Sequence, residues 1–282
     1  MTPILWPASV TPFDAHGQVD RGDLAKLIAW FRDAGCNGVV LAGTNGEGPS
    51  MSAVEKRDLV RTGVELSDGL PITLGIATPS LHEAKWLASQ AGKAGAQHVL
   101  VMAPGYFQNC AESAILDWFR AVADAATCSV IAYNFPKYTG FTMTSKFVGR
   151  LAEHGNVVGF KDSSGEVDNL AAYRSAAPEA TLLVGDETIL PEAMTAGWNG
   201  SISGASNVVG NWLSQWLENP SEERWKLLES ALKIIRKGPQ PALNKAVLAG
   251  LGVISRPDVR LPLTPVDPAE CLHVLRDRLG IR

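Results

Sequence analysis

One lysine of the sequence closes an apolar segment at a position where its amine could act as a nucleophile. Lys161 follows the uncharged residues 157–160 and precedes Asp162. If this segment is a buried strand, desolvation disfavours the ammonium form and lowers the pKa of the lysine. A neutral amine attacks a carbonyl carbon and forms a Schiff base. Two other interpretations stay open at this point: the side chain extends from the strand end into solvent, or it pairs with Asp162.

A tyrosine occupies the equivalent place in another apolar segment. Tyr133 follows Ile131 and Ala132 and is succeeded by Asn134 and a Phe-Pro pair. If the two segments are adjacent parallel strands, their carboxyl ends lie within side-chain reach, and a phenol beside Lys161 could relay protons. The alternative is an ordinary core aromatic whose hydroxyl group has found a hydrogen-bond partner.

Two further segments carry polar residues suited to binding a substrate. Residues 43–48 read Gly-Thr-Asn-Gly-Glu-Gly, in which the Thr44 hydroxyl and successive backbone N–H groups could hold a carboxylate. The alternative there is a tight turn in which Glu47 helps to start the next helix. Asp186 and Glu187 follow a third apolar segment, and their carboxylates could accept hydrogen bonds from substrate hydroxyls. We favour a capping role for Asp186, at a helix that begins near Thr188.

The elements that must position these side chains alternate regularly along the chain. Eight short apolar segments are each followed by a helical pattern, and they span residues 4–11, 38–43, 72–77, 98–104, 129–136, 157–162, 181–186 and 200–204. Near-continuous apolar strands separated by amphipathic helices indicate a parallel sheet covered on both faces. Eight units predict an α/β fold, the (β/α)₈ TIM barrel, whose active site lies at the carboxyl ends of the strands. An open dinucleotide-binding sheet is disfavoured because no G-x-G-x-x-G follows the first strand.

The strand pattern stops after residue 207. Helical patterns occupy residues 212–217, 221–235, 241–251 and 268–279. We therefore predict a barrel over residues 1–207 and a C-terminal helical extension of the same domain over residues 208–282.

Composition excludes several classes of function. The chain has 282 residues and a net charge of −4, and its basic residues form no cluster that could neutralise a nucleic-acid backbone. No segment is long and apolar enough to cross a membrane, and no signal peptide is visible at the N-terminus. Four scattered cysteines predict a reducing, cytoplasmic setting, and five separated histidines give no metal-ligand spacing. We expect no metal and no cofactor.

Three motifs taken together resemble the dihydrodipicolinate synthase and N-acetylneuraminate lyase family. They are Gly-Thr-Asn-Gly-Glu at 43–47, Tyr-Asn-Phe-Pro at 133–136 and Gly-Phe-Lys-Asp at 159–162. The resemblance implies a TIM barrel with a C-terminal helical extension, assembled as a homotetramer that is a dimer of dimers. It also implies that Lys161 forms an imine with a 2-oxo acid such as pyruvate and that Tyr133 relays protons. Thr44 and the Asn45 amide would hold the carboxylate, and the Ile202 backbone would lie near the bound keto acid.

The sequence departs from the family pattern at three positions. Asn45 stands where the synthases and lyases usually have Ser or Thr. Phe107 stands where the lysine-pathway synthases place a second tyrosine, and Tyr138 stands where they carry an arginine that binds the carboxylate of the aldehyde substrate. We include Tyr106 and Tyr138 among the predicted substrate-binding residues.

Asp186 and Glu187 resemble the acidic pair with which sugar-acid lyases of the family hold hydroxyl groups. The sequence therefore predicts a lyase that uses a lysine Schiff base on a small-molecule 2-oxo acid. The reaction would be aldol cleavage or condensation with pyruvate, or dehydration of a 2-oxo-3-deoxy sugar acid. One alternative is 4-hydroxy-tetrahydrodipicolinate synthase, with Lys137 or another group in place of the missing arginine. Another is a barrel that binds a keto acid without catalysis.

Overall fold

The computed structural model describes residues 2–281, and its strands form one parallel sheet. The strands are β1 Ile4–Pro7, β2 Val39–Leu41, β3 Ile72–Ile76, β4 His98–Met102, β5 Ser129–Asn134, β6 Val157–Asp162, β7 Thr181–Val184 and β8 Gly200–Ser203. Their order in the sheet is β1-β8-β7-β6-β5-β4-β3-β2. The two edges meet where Ala8 bridges Val40 in parallel register, and the Ser9 N–H donates to the Val40 carbonyl at 2.9 Å. The predicted (β/α)₈ barrel is confirmed.

Helices connect the strands and cover the outside of the barrel. They are α1 Arg21–Asp33, α2 Ala53–Leu66, α3 Leu81–Lys93, α4 Glu112–Ala125, α5 Pro136–Thr139, α6 Ser145–Ala152, α7 Asp168–Ala176, α8 Leu190–Thr195, α9 Ser206–Glu218, α10 Glu222–Lys237, α11 Ala242–Gly250 and α12 Ala269–Leu279. Local sequence sets several of their starts. Ser52, for example, accepts a hydrogen bond from the Glu55 N–H while the Glu55 side chain accepts from the Ser52 N–H, which is a capping box.

The strands divide their side chains between two apolar layers. Alternate residues point into the barrel, where Trp6, Leu100, Ile131, Leu183 and Ile202 pack together. The intervening residues, such as Phe160, pack against the surrounding helices. Because the alternation places Phe160 outside, its neighbour Lys161 faces the barrel interior.

The helices after β8 continue without a break from the barrel. Helix α9 begins at Ser206 and packs on β1, α1 and β8, so it completes the helical layer. The predicted division after residue 207 falls inside this helix, and the two-part description of the chain stays a prediction. Helices α10 and α12 pack on each other, and α11 packs on α9. Within residues 2–281, none of the helices is long and apolar enough to cross a bilayer.

Candidate active site

Lys161 is buried at the carboxyl end of β6 and is left without an ionic partner. Only 5% of the residue is exposed, and its Nζ lies 4.1 Å from the centroid of the Tyr133 ring. The strand register places Tyr133 of β5 directly beside it. No residue between 2 and 281 makes a hydrogen bond or an ion pair with the amine. Burial lowers the pKa of Lys161 from 10.5 to about 7, and the charge of Glu187 opposes that shift.

Asp162 points away from Lys161, towards the helices. Its Oδ1 accepts hydrogen bonds from Asn134 Nδ2 at 2.8 Å and from the Ser164 N–H at 2.9 Å. Its Oδ2 accepts from Asn169 Nδ2 at 3.0 Å. The two alternative interpretations of Lys161 are therefore wrong: the amine neither reaches solvent nor pairs with Asp162, because neighbouring residues of a strand face opposite sides.

Tyr133 contacts both the amine and a hydroxyl group that the sequence motifs did not single out. Its hydroxyl lies 3.1 Å from Ser163 Oγ. Burial raises the pKa of Tyr133 above its ordinary value, and hydrogen bonding to Ser163 and Thr44 partly opposes the rise. The phenol is therefore protonated at neutral pH and is able to donate a proton. The signal for Ser163 was present in the sequence, since it follows Lys161 by two residues.

A glycine at the end of β7 makes room for the lysine side chain. A Cβ atom placed on Gly185 would lie 2.6 Å from Lys161 Cε and 1.9 Å from Ser163 Oγ. Both approaches are closer than real Cβ contacts. The missing side chain of Gly185 therefore allows Lys161 and Ser163 to occupy the same part of the barrel mouth.

The turn after β2 places backbone N–H donors at the barrel mouth, near Lys161. The N–H groups of Thr44 and Asn45 donate to no other residue in the range 2–281, while the Gly46 and Gly48 N–H groups are used within the turn, on the Gly43 carbonyl. Gly48 is required by the tight path, because a Cβ there would lie 1.9 Å from the Ala42 carbonyl oxygen. Free donors on a turn of this kind suit a carboxylate.

Glu47 fixes the turn after β2 to the C-terminal segment of the chain through a buried ion pair. Its Oε1 lies 2.5 Å from the Nζ of Lys245, and neither side chain is exposed to solvent. The backbone of Glu47 is left-handed, with φ of 55°, and its Oε2 accepts from the Arg260 N–H at 2.8 Å. The alternative interpretation holds in part: the segment is a tight turn, and Glu47 is the N-cap residue of the short 3₁₀ turn Gly48–Ser50. Its side chain makes no capping hydrogen bond there, because its carboxylate is bound by the C-terminal segment, and α2 is capped by Ser52.

Asn45 directs its amide towards the end of β8. Its Oδ1 lies 3.4 Å from Asn244 Nδ2, and a Cβ on Gly204 would lie 2.8 Å from its Nδ2. Gly204 thus provides the space that the Asn45 amide fills.

The acidic pair after β7 is partly committed to internal contacts. Asp186 accepts from the Thr188 N–H at 3.0 Å as the N-cap of a short 3₁₀ turn, Glu187–Ile189, which confirms the predicted capping role. Glu187 Oε1 accepts from the Ser203 hydroxyl at 2.6 Å and from the Ala205 N–H at 3.0 Å.

Arg236 of α10 binds the remaining oxygens of both carboxylates. Its Nη2 lies 2.7 Å from Asp186 Oδ2, and its Nη1 lies 3.2 Å from Glu187 Oε2. Sequence reasoning missed this residue, because nothing in the pattern of α10 distinguishes it from other basic residues near a helix end.

These groups surround one cavity of about 900 Å³ at the mouth of the barrel. The predicted residues that line it are Thr44, Asn45, Tyr133, Tyr138, Lys161, Asp186 and Glu187. Tyr138 stands at the rim on α5 with 54% of its surface exposed. Tyr106 and Ile202 do not line the cavity: Tyr106 is 78% exposed on the loop after β4, and Ile202 is fully buried in the barrel interior. Between residues 2 and 281, no cluster of three His, Cys, Asp or Glu side chains is arranged to hold a metal ion.

Comparison with known proteins agrees with this arrangement. The sequence matches the model of the dihydrodipicolinate synthetase family over residues 3–277. The chain belongs to this family. It is 33% identical to the 4-hydroxy-tetrahydrodipicolinate synthase of Persephonella marina, with 96% of each chain covered.

Solved structures show the same fold over the full length. The dihydrodipicolinate synthase of Bacillus anthracis superposes with a TM-score of 0.92 at 27% identity, covering 100% of this chain and 99% of that one. A prophage protein of the dihydrodipicolinic acid synthase family from E. coli K12, solved in complex with pyruvate, superposes with a TM-score of 0.91 at 26% identity, covering 99% of both chains. The predicted family is confirmed, and so is the prediction of a Schiff-base lyase of the class I type.

Proposed function

We propose that this chain forms a Schiff base between Lys161 and a 2-oxo acid such as pyruvate, and uses it to break or make a bond at the carbon next to the former ketone. The observation that carries the proposal is the buried amine, which has no ionic partner and faces a cavity of about 900 Å³. A pKa of about 7 leaves roughly half of the amines neutral at neutral pH, and only the neutral amine is nucleophilic.

The turn after β2 would orient the substrate for attack. The free N–H groups of Thr44 and Asn45 bind the carboxylate of the 2-oxo acid, which places its ketone carbon near Nζ of Lys161. The lone pair of Nζ forms the C–N bond while one proton of the amine passes to the ketone oxygen by way of the Tyr133 hydroxyl, giving a carbinolamine. Tyr133 then donates a proton to the carbinolamine hydroxyl, which leaves as water. The phenolate regains its proton from the Ser163 hydroxyl across the 3.1 Å contact, while Ser163 takes up a proton from water, so that Ser163 acts as a relay.

The resulting imine carries the chemistry that follows. In its protonated form it accepts the electron pair released when the bond at C3 breaks, and it stores that pair as an enamine. In aldol cleavage the C4 hydroxyl loses its proton, the C3–C4 bond breaks, an aldehyde leaves, and C3 then takes up a proton. In dehydration the C3–H bond breaks, and the enamine expels the C4 hydroxyl, which takes up a proton and leaves as water. In both reactions hydrolysis of the imine releases the product and restores the free amine of Lys161.

The favoured substrate is a 2-oxo-3-deoxy sugar acid. The wall that carries Asp186 and Glu187 is polar, and the rim holds Tyr138 in place of the arginine that synthases of the family use for a carboxylate. A phenol offers one hydrogen-bond donor and no positive charge, so it does not replace a guanidinium fork. Lys137 stands beside it, exposed at the rim, with its Nζ 6.0 Å from the Tyr138 ring.

A second candidate is 4-hydroxy-tetrahydrodipicolinate synthase. It is favoured by the identity of 33% to a protein of that name over nearly the whole chain. Phe107 and Tyr138 count against it. Phe107 has no hydroxyl for the proton relay that the resemblance implies for such an enzyme, and Tyr138 has no positive charge to pair with the carboxylate of the aldehyde substrate.

Borohydride reduction in the presence of pyruvate tests the Schiff base directly. The native enzyme should gain one pyruvyl mass on Lys161, and Lys161→Ala should gain none there. A missing adduct on the native enzyme, or an equal adduct on the variant, would defeat the proposal and would favour a barrel that only binds keto acids.

A screen of 2-oxo-3-deoxy sugar acids then separates the candidate reactions. Released pyruvate is detected with lactate dehydrogenase, and loss of water is followed by mass spectrometry. Complementation of a diaminopimelate auxotroph tests the synthase. If a well-expressed protein complements the auxotroph and turns over no sugar acid, the second candidate replaces the first.

We also propose that the chain works in the cytoplasm as a homotetramer built as a dimer of dimers. The exposed rings of Tyr106 and Phe107, which contact each other edge to face at 5.1 Å, support a protein–protein contact at this loop. Light scattering at micromolar concentration measures the mass of the assembly, and a monomer would contradict the proposal.

A further inference from the structure

The cavity extends well beyond the volume that a bound pyruvate needs, and α10 supplies one charged side chain to its outer part. Arg236 lines the cavity near the carboxyl end of that helix. Its side chain is 40% exposed, whereas that of Glu187, which it contacts, is only 4% exposed. The guanidinium group is thus anchored on one side and open to the cavity on the other.

Several N–H groups of the Arg236 guanidinium make no hydrogen bond within the part of the chain that the structure describes and are free to bind a ligand. A guanidinium carries five N–H groups. The two hydrogen bonds of Arg236 use one hydrogen on Nη1, donated to Glu187, and one on Nη2, donated to Asp186. The Nε–H and one hydrogen on each terminal nitrogen have no partner among the residues from 2 to 281. The two carboxylates hold the planar group in a fixed orientation, so its remaining donors are positioned in advance.

The charges of the cavity decide which ligand chemistry those donors suit. The charged side chains lining it are Lys137, Lys161, Glu166, Asp186, Glu187 and Arg236. When Lys161 is neutral, this set has one excess negative charge. The iminium formed at Lys161 and the carboxylate held by the turn after β2 cancel each other. A second carboxylate in the outer cavity would therefore meet no surplus positive charge, whereas a hydroxyl group would meet free donors at no electrostatic penalty.

We infer that Arg236 is a specificity-determining residue that selects 2-oxo acids with an uncharged, hydroxyl-bearing tail over those with a second carboxylate. The inference rests on the proposed Schiff base at Lys161 and adds the group that recognises the far end of the substrate. Arg236 donates to the tail hydroxyls, and the Asp186 carboxylate, whose Oδ2 is bound to Arg236, accepts from them.

Competition against pyruvate trapping tests the inference without assuming cleavage or dehydration. Isotopically labelled pyruvate is trapped on Lys161 by borohydride, so that pyruvate released from a competitor is distinguished by mass. Three six-carbon competitors are compared: 2-oxo-3-deoxygluconate, 2-oxohexanoate and 2-oxoadipate. The native enzyme should be half-inhibited by the hydroxylated acid at a concentration about tenfold below that of 2-oxohexanoate, with 2-oxoadipate the weakest.

Three variants make the test specific to the guanidinium. Arg236→Met should remove the tenfold advantage of the hydroxylated acid and leave 2-oxohexanoate unchanged. Arg236→Lys keeps a cation beside Asp186 and Glu187 but loses the fork, and should give an intermediate ratio even if the Met variant folds poorly. Lys237→Met removes a charge from the next residue of α10, which does not line the cavity, and should behave as native.

The outcomes separate this inference from the proposed function. If the native enzyme is inhibited most strongly by 2-oxoadipate, the inference is overturned. It is also overturned if both Arg236 variants lose inhibition by all three competitors to the same extent. If labelled pyruvate is not trapped by the native enzyme at all, it is the Schiff base at Lys161 that has failed.

Discussion

The protonation state of Lys161 gives the most demanding prediction. Burial places its pKa at about 7, compared with 10.5 for an ordinary lysine, so about half of the amines are neutral at pH 7 instead of roughly one in three thousand. A folded-state pKa that is lowered means that the neutral, reactive form is gained as pH rises through 7. The initial rate of pyruvate trapping should therefore be about tenfold lower at pH 6 than at pH 8, and nearly constant above pH 8.

Glu187 gives a perturbation of known sign. Its charge raises the pKa of Lys161, against the larger effect of burial. Glu187→Gln removes that charge and should move the inflection of the profile to lower pH. Glu166→Gln is the matched control, because Glu166 also lines the cavity but makes no contribution to the pKa of Lys161.

The assay is intact-mass spectrometry of the adduct formed with pyruvate and cyanoborohydride between pH 5 and 9. Thermal unfolding at each pH shows that the protein stays folded. A trapping rate in the native enzyme that still rises tenfold between pH 8 and pH 9 would refute the reasoning that burial keeps the amine neutral. An unchanged inflection in Glu187→Gln would refute the electrostatic role of that carboxylate.

Three further substitutions follow from contacts in the site. Tyr133→Phe removes the hydroxyl that relays protons during imine formation and turnover, so turnover should fall about 10²- to 10⁴-fold in a coupled assay and the pyruvate adduct should form more slowly. Lys245→Met leaves the Glu47 carboxylate buried without its cation, and denaturant titration should show a loss of about 3–5 kcal/mol in the free energy of unfolding. Gly185→Ala places a methyl group 2.6 Å from Lys161 Cε, so trapping should be at least tenfold slower in mass spectrometry.

Controls for these variants come from positions without such contacts. Lys233→Met removes an exposed partner of Glu229 and should change stability by less than about 1 kcal/mol. If Lys245→Met is as stable as Lys233→Met, the buried ion pair is not needed for the stability of the fold. A Cβ on Gly155 would meet nothing within 4 Å, so Gly155→Ala should trap pyruvate at the native rate. Equal trapping by Gly185→Ala would contradict the steric argument. Normal turnover in Tyr133→Phe would assign the proton relay to another group.

Much of the site was accessible from local sequence because a strand has a period of two residues. The apolar segment that ends at Lys161 predicts a buried strand, and the alternation along it places Lys161 and Ser163 inside and Asp162 outside. Tyr133 could be placed beside Lys161 because consecutive strands of a barrel are neighbours, as the register confirms. The bounds of the strands were less accurate. The first ends at Pro7, not at residue 11, because only a single bridge continues its pairing.

The sequence by itself determined the barrel, the end of the barrel that carries the site, and the amine at its centre, because each depends on periodicity over fewer than about ten residues. Tertiary structure alone decided which distant residues hold the carboxylates of the site in place. Arg236 reaches Asp186 across 50 residues of chain, and Lys245 reaches Glu47 across 198. Contacts of this kind depend on how the helices tilt and where the C-terminal segment crosses the barrel mouth, and no local pattern of residues specifies either.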